Sequence, residues 1–470
     1  MANILSSLPN AYAFLLLLFS VLLICRPSSF VCGLDNAVAT HHVVSVNSIF
    51  PEQTCSDSKE LGSSSLKVVH RHGPCSPMKH KKKLSHEEIL EQDQIRVDWV
   101  RSKVSKTSQP ESVHHSSAAA SKIPATSGRA FSTGNFIVTV GFGTPKLQQS
   151  VIFDTGSDVT WIQCQPCVSV CYQQQQQLFD PSKSTTYRNI SCSSPYCSAL
   201  DTSGCSGSTC LYAVQYGDNS YTVGFFAQDT LTLTSSDVVP NFRFGCGQKN
   251  NGLFGTAAGL VGLGRQSASL VSQTSSKYGG VFSYCLPASS SGTGYLTFGP
   301  VSAGNVQYTP MLTDSSQPSF YFLGLNDIGV GGQGLSLSPT LFSNAGVIID
   351  SGTVITRLPP TAYTALRTAF RKQMASYPLS SPASILDTCY DFSTYQTVKI
   401  PTVAFAFKGA TVNLDVSGIM YVASSTQACL AFAANGDDTD IVIIGNTQQK
   451  KFNVVYDVSK KQIGFGTGAC

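Results

Sequence analysis

Two short stretches of the chain have the residue types and spacing for acid–base chemistry. Residues 151–162 read VIFDTGSDVTWI and residues 346–358 read GVIIDSGTVITRL. Each runs from two or three apolar residues into Asp-Thr/Ser-Gly-Ser/Thr and then back into apolar residues. A short apolar run of this kind normally continues as a buried strand, yet Asp154 and Asp350 interrupt it. Two carboxylates held a few ångströms apart cannot easily both ionise, so the pair shares a proton. The charged member can take a proton from a water between them, and the protonated member can hydrogen-bond the carbonyl under attack. Such a pair hydrolyses an amide without metal or covalent intermediate, and its pKa values belong to the pair as a unit.

The neighbouring residues fit that chemistry. Thr155 and Ser351 carry short hydroxyls able to tie one loop to the other. Gly156 and Gly352 let backbone amides approach the carboxylates, and Ser157 and Thr353 can donate to them from outside. The competing explanation is that each Asp-x-Gly is a turn whose aspartate caps amides. Two copies weigh against it. Each is followed by an apolar-apolar-Gly element, Leu260–Gly262 and Ile443–Gly445, at separations of 108 and 95 residues from its aspartate. A repeat on this scale predicts two related lobes with the aspartates facing each other.

Other hydrolytic chemistries are excluded by what is missing. All eight histidines lie before residue 121, which removes Ser-His-Asp, Cys-His and HExxH sites from the rest of the chain. Of the sixteen cysteines, twelve run from Cys164 to Cys470, an even number that permits six bridges and points to an oxidising compartment. Zinc ligation is the rival reading for Cys164 and Cys167. However, the cysteines after them, Cys171, Cys192, Cys197, Cys205 and Cys210, lack the repeated paired spacing of a zinc module. No metal and no cofactor are expected. A formal charge of +4 over 470 residues gives the main domain little reason to bind nucleic acid.

The elements that position these residues can be read from composition and periodicity. At this length, with 42% hydrophobic and 12% charged residues, the chain suits a large β-rich core. An apolar stretch from Ala11 to Cys25 fits a signal-peptide core, with cleavage near Cys32 and a plastid transit peptide as the alternative. Residues 33–130 hold the basic run Lys79–Lys83, a helix and a flexible linker, and read as a propeptide. Ser85 and Glu88 form a capping-box pattern, and Leu90, Val97, Val100 and Val104 can share one helix face. Strands are predicted from Asn135 onward, with helices at Ser269–Lys277 and Pro360–Tyr377. Residues 131–310 and 311–470 are expected to form the two lobes. The tail carries no apolar anchor signal.

These residues resemble the pepsin-like aspartic proteases, over essentially Asn135 to Cys470. The resemblance implies an all-β, bilobal fold with a central cleft and few short helices, and Asp154 and Asp350 as the catalytic dyad. It makes the stretch at 213–224, AVQYGDNSYTVG, the flap hairpin, Tyr216 the flap tyrosine, and Trp161 its hydrogen-bonding partner. The cysteine-dense stretch from Cys164 to Cys210 resembles the plant nepenthesin-type branch. That likeness implies bridges Cys164–Cys167, Cys171–Cys246, Cys192–Cys210, Cys197–Cys205, Cys285–Cys470 and Cys389–Cys429. The stretch VVHRHGPCSP is similar to propeptides of plant proteases grouped with the chloroplast nucleoid enzyme and with apoplastic enzymes of disease resistance.

The chain is therefore expected to be a monomeric endopeptidase zymogen secreted to the extracellular space or apoplast, with plastid or vacuole as the alternative location, acting on polypeptides at acid pH, with its own propeptide as intramolecular inhibitor. Asn189 is a glycosylation acceptor on that route. The alternatives are a catalytically inactive wall or inhibitor-binding protein, and a plastid nucleoid protease whose basic run contacts DNA.

Overall fold

The structure, a computed structural model, describes residues 40–50, 54–56, 65–78, 84–105, 135–216, 220–252, 254–300, 305–468 and 470. The apolar leader, the basic run Lys79–Lys83, the linker following the helix and the hairpin tip at 217–219 lie outside the described residues.

The strands Phe136–Phe142 and Leu147–Asp154 pair antiparallel, with Val138 opposite Val151. The turn between them begins at Gly143, whose φ of +85° is a left-handed conformation that glycine adopts without penalty. On its other edge Leu147–Asp154 runs parallel to Gly259–Gly262, placing Asp154 opposite Gly262. Strands buried on both faces favour unbroken apolar runs, and Val151, Ile152, Phe153, Leu260 and Val261 are all buried. The second half repeats the device: Val347–Ile349 lies parallel to Val442–Ile444. Each aspartate therefore leaves the end of a buried strand beside an apolar-apolar-Gly strand. A Cβ on Gly445 would stand 2.7 Å from the Val354 carbonyl oxygen, and one on Gly262 would strike the backbone of Asp158. Both glycines allow the loop after each aspartate to fold back onto its neighbouring strand.

Strands dominate the architecture. A 15-stranded sheet gathers the first lobe together with the C-terminal strands Phe452–Asp457 and Gln462–Thr467, and smaller sheets of five, four and four strands build the second lobe. Two further strands come from before residue 135. Ser65–His70 inserts into the large sheet between Thr293–Phe298 and Phe136–Phe142. His41–Ser45 pairs with Thr397–Pro401. Lys67 and the surrounding histidines hide the strand pattern of these segments in the sequence.

Among the described residues only the helices His86–Ser105 and Pro360–Gln373 exceed seven residues. The first has its capping box closed, with Ser85 N–H donating to Glu88 Oε2 at 2.8 Å and Glu88 N–H to Ser85 Oγ at 3.1 Å. Its Val97 and Val100 pack with Phe320, Ile348 and Ile443, and its Ile89 and Leu90 with Val354, Ile355 and Tyr421. Burying each such side chain contributes about 1.5–3 kcal/mol, so this helix is held by the body of the protein. The helix expected over Ser269–Lys277 forms instead as two single turns, Leu270–Gln273 and Ser275–Tyr278. Thr274 separates them, its hydroxyl donating back to the Leu270 carbonyl at 2.7 Å. The second long helix stops at Gln373 rather than Tyr377, with Leu366 and Phe370 on its buried face.

The disulfides correct four of the pairings implied by resemblance. Cys164 bonds Cys246, Cys167 bonds Cys171, Cys192 bonds Cys205 and Cys197 bonds Cys210. For Cys164 the reason is strand pairing. Trp161–Gln163 lies parallel to the strand carrying Cys246, with Ile162 opposite Cys246, which leaves Cys164 with its Cα 5.3 Å from that of Cys246. In the insert, the turn Pro195–Ser198 buries Cys197 against Cys210, while Cys192 and the exposed Cys205 meet outside. Cys285–Cys470, Cys389–Cys429 and a further bridge, Cys55–Cys75, are also closed. Mass mapping of a non-reduced digest should recover Cys164 linked to Cys246 and Cys197 linked to Cys210. Peptides linking Cys164 to Cys167 would contradict this strand arrangement.

Candidate functional site

The two aspartate loops meet at the floor of one cleft, and both carboxylates are buried. The loops are tied reciprocally: Thr155 N–H donates to Ser351 Oγ at 3.1 Å, and Ser351 N–H to Thr155 Oγ1 at 2.9 Å. Asp154 Oδ1 accepts from Gly156 N–H at 3.0 Å, and Asp350 Oδ1 from Gly352 N–H at 3.1 Å. These glycines also leave room. A Cβ on Gly352 would stand 2.7 Å from Asp154 Oδ1, and one on Gly156 2.9 Å from Asp350 Oδ1. Thr353 Oγ1 donates to Asp350 Oδ2 at 2.7 Å. Its counterpart Ser157 lies close enough to favour the charged form of Asp154, yet neither Ser157 Oγ nor Asp154 Oδ2 closes a hydrogen bond.

A residue not singled out from the sequence completes the site. Arg96, on the helix His86–Ser105, donates from Nη2 to Asp154 Oδ1 at 3.0 Å and to Asp350 Oδ1 at 3.1 Å, and from Nε to Asp350 Oδ2 at 3.2 Å. Its guanidinium also lies 4.9 Å from the Trp99 ring centroid. Burial pushes the Asp154 carboxyl above the ordinary carboxylate range, Arg96 pulls against that, and Asp350 adds to it. Burial alone would lower Arg96, but Asp154 and Asp350 outweigh it and hold the guanidinium above its usual value. Three residues earlier, Asp93 is fully buried, accepting from Val354 N–H at 2.5 Å and Ile355 N–H at 3.0 Å and pairing with Arg357 at 3.0 Å. Burial pushes its carboxyl up against the pull of those three donors. A signal for both residues is present in the sequence. Asp93 lies three residues after Leu90 and Arg96 one before Val97, so charge is threaded through the apolar face of the helix, where it needs a partner in the body of the protein.

Over the cleft stands the hairpin of Thr209–Gln215 and Tyr221–Thr232. Tyr216 is at its described end, and Trp161 Nε1 donates to the Tyr216 hydroxyl at 2.7 Å. Phe254 packs edge-on against both rings, with centroids at 4.8 and 5.6 Å. A cavity of about 370 Å³ remains between this hairpin and the helix, lined by Trp99, Gly156, Asp158, Tyr216, Gln266 and Phe320 among others. Asp158 accepts from Gln266 N–H at 2.8 Å and from Ser319 Oγ at 2.5 Å. Asn189 lies away from the cleft, exposed on a short strand, accepting from the Tyr187 hydroxyl at 2.8 Å. Among the described residues no cluster of three or more metal-ligating side chains occurs, and no helix is long and apolar enough to cross a membrane.

Residues 136–300 match the family described as xylanase inhibitor N-terminal, and residues 320–467 the one described as xylanase inhibitor C-terminal. An aspartyl protease family protein of Arabidopsis thaliana is 48% identical over 97% of this chain and 98% of its own length. Nepenthesin-2, an aspartic proteinase of Nepenthes gracilis, is 36% identical over 72% of this chain and 78% of its own. The crystal structure of basic 7S globulin from soybean superposes with a TM-score of 0.57 at 21% identity, over 71% of this chain and 93% of that one, a likeness of fold alone. With both halves matched and relatives of this identity along most of its length, the chain belongs to the pepsin-like aspartic proteases of plants.

Proposed function

We propose that the chain is an aspartic endopeptidase made as a secreted precursor, with Asp154 and Asp350 as its catalytic pair and the residues before about 130 as the segment that holds it inactive. The observation that carries this reading is Arg96, whose single guanidinium spans both carboxylates where a scissile peptide bond would lie. Once Arg96 leaves, the like charges share a proton. The charged carboxylate then takes a proton from a water bound between the pair, and the water oxygen attacks the peptide carbonyl carbon. The protonated carboxyl donates to the carbonyl oxygen, and the proton taken up passes to the amide nitrogen as the C–N bond breaks. Tyr216, positioned by Trp161, would close over the peptide. Secretion is supported by the seven disulfides among the described residues and by the exposed Asn189 acceptor. The plastid, DNA-contacting alternative rests on Lys79–Lys83, on the transit-peptide reading of the leader and on the likeness of VVHRHGPCSP to the group of the chloroplast nucleoid enzyme.

A second reading, a binding protein without activity, is favoured by the description of the matched families as xylanase inhibitor halves. The two intact Asp-Thr/Ser-Gly loops favour the enzyme. One assay separates them: acid treatment of the purified precursor should yield a form starting near residues 121–134 that cuts denatured proteins and is blocked by pepstatin. Asp154→Asn should abolish both events. A wild-type precursor inert from about pH 3 to 7 would overturn the enzyme reading.

Arg96 favours the ionised Asp154 carboxylate, so this contribution to docking is present at neutral pH and is lost as pH falls and Asp154 takes up a proton. Arg96→Met removes that contribution. Its precursor is expected to mature at a pH where the wild type stays intact, as read by gel and N-terminal sequencing.

Asp158 gives a second pH signature. Burial pushes its carboxyl up to about 6, with Ser319 and Gln266 opposing. The folded state therefore holds a proton there that the unfolded chain, at about 3.9, has released. The resulting stability is complete below about pH 4 and lost as pH rises through about 6, a swing of about 2–3 kcal/mol. In an Asp350→Asn background that keeps the precursor intact, the Tm should fall between pH 4 and 6.5. Adding Asp158→Asn should flatten that slope.

A further inference from the structure

Arg357 is fully buried, and its charge is met by the helix that lies across the cleft. Its Nη2 pairs with Asp93 Oδ2 at 3.0 Å and donates to Gln94 Oε1 at 3.3 Å, while its Nη1 donates to the nearby Ile355 carbonyl at 2.8 Å. Arg357 Nε has no hydrogen-bond partner. The N–H groups of Val354 and Ile355 converge on the same Asp93 carboxylate. Both oxygens of one carboxylate are thus held by two backbone donors and a guanidinium, a set whose geometry suits an anionic acceptor. When the helix leaves, the body of the protein keeps all three donors and loses the acceptor. Arg357 is fully buried with the helix seated, so once the helix leaves its charge must be met by another anion or by water.

We propose that Val354 N–H, Ile355 N–H and the Arg357 guanidinium form a substrate subsite for a carboxylate, so that the mature enzyme prefers an aspartate or glutamate side chain close to the scissile bond, and that Asp93 occupies this subsite in the precursor. The proposal rests on the protease reading above. Asp93 precedes Arg96 by three residues, a rise of about 4.5 Å along the helix, whereas an extended peptide advances about 3.3 Å per residue. The acid therefore falls about one to three residues from the bond cleaved at the Arg96 position. Ile89 and Leu90 cover Val354, Ile355, Leu386 and Tyr421 in the same cluster, so the subsite adjoins an apolar floor.

The test uses full-length precursor matured by acid and a peptide series with one scissile bond. Glutamate or its neutral isostere glutamine is placed singly at each of the three positions on either side. At about pH 5, where a free glutamate is ionised, one position should show kcat/KM about tenfold or more higher for glutamate than for glutamine, the scale of a charge-assisted hydrogen bond. The ratio should shrink below about pH 4 as the substrate carboxylate protonates, and collapse toward one in Arg357→Met, with partial retention in Arg357→Lys. Should Arg357→Met fail to fold, the wild-type ratio and its pH dependence still decide. Equal rates at every position in the wild type, or a preference that survives Arg357→Met, overturn the proposal, because the donors would then serve main-chain carbonyls. Cleavage of no peptide at all would instead bring down the protease reading on which the subsite stands.

Discussion

A carboxylate buried beside a second carboxylate is tolerated only where other groups fix its position and meet its charge. The cleft of this protein is arranged around that requirement. The strands Leu147–Asp154 and Val347–Ile349 deliver Asp154 and Asp350 from the cores of two lobes. The crossed hydrogen bonds of Thr155 and Ser351 then lock one loop to the other. Glycine is needed beside each carboxylate because the opposite carboxylate already fills the space of a side chain. Removing any of these parts would separate the charges or leave an unmet one, which explains why short hydroxyls and glycines are concentrated in so few positions.

In the described structure the charge is met by a helix from the N-terminal part of the chain. Arg96 answers the carboxylate pair and Asp93 answers Arg357, so a cation and an anion one turn apart on one helix neutralise two sites of opposite sign. Buried ion pairs contribute little net stability because desolvation offsets their attraction. What they supply is position: the helix can seat in one register only, since a slip would bury unpaired charges on both sides. Apolar contacts from Ile89, Leu90, Val97 and Val100 provide the attraction.

Burial sets the acid–base character of the surroundings in the same way. Asp158 lies just beyond the Asp-Thr-Gly-Ser loop and is held high by desolvation even though Gln266 and Ser319 donate to it. Its burial therefore makes the folded state favour the protonated form of this one carboxyl. The disulfides act differently. One of them follows strand pairing, so that Cys164 links to the adjacent strand at Cys246 rather than to Cys167 three residues away.

The sequence by itself determined the β-rich class, the two echoing aspartate loops, their apolar-apolar-Gly partners and the capping box at Ser85. Each of these is local: a run of apolar residues, a glycine at a close approach or a four-residue hydrogen-bond pattern depends on neighbours in the chain. The absence of histidine beyond residue 121 was equally legible and removed most other hydrolytic chemistries. Only the tertiary structure decided the rest. Ser65–His70 became a strand because two strands far away in sequence accept its backbone. Strand adjacency paired Cys164 with Cys246, and Arg96 and Asp93 acquired meaning from carboxylates, amides and an arginine more than fifty residues distant. Charge pairing acts through space, and a one-dimensional pattern shows that a buried charge needs a partner without showing which residue supplies it.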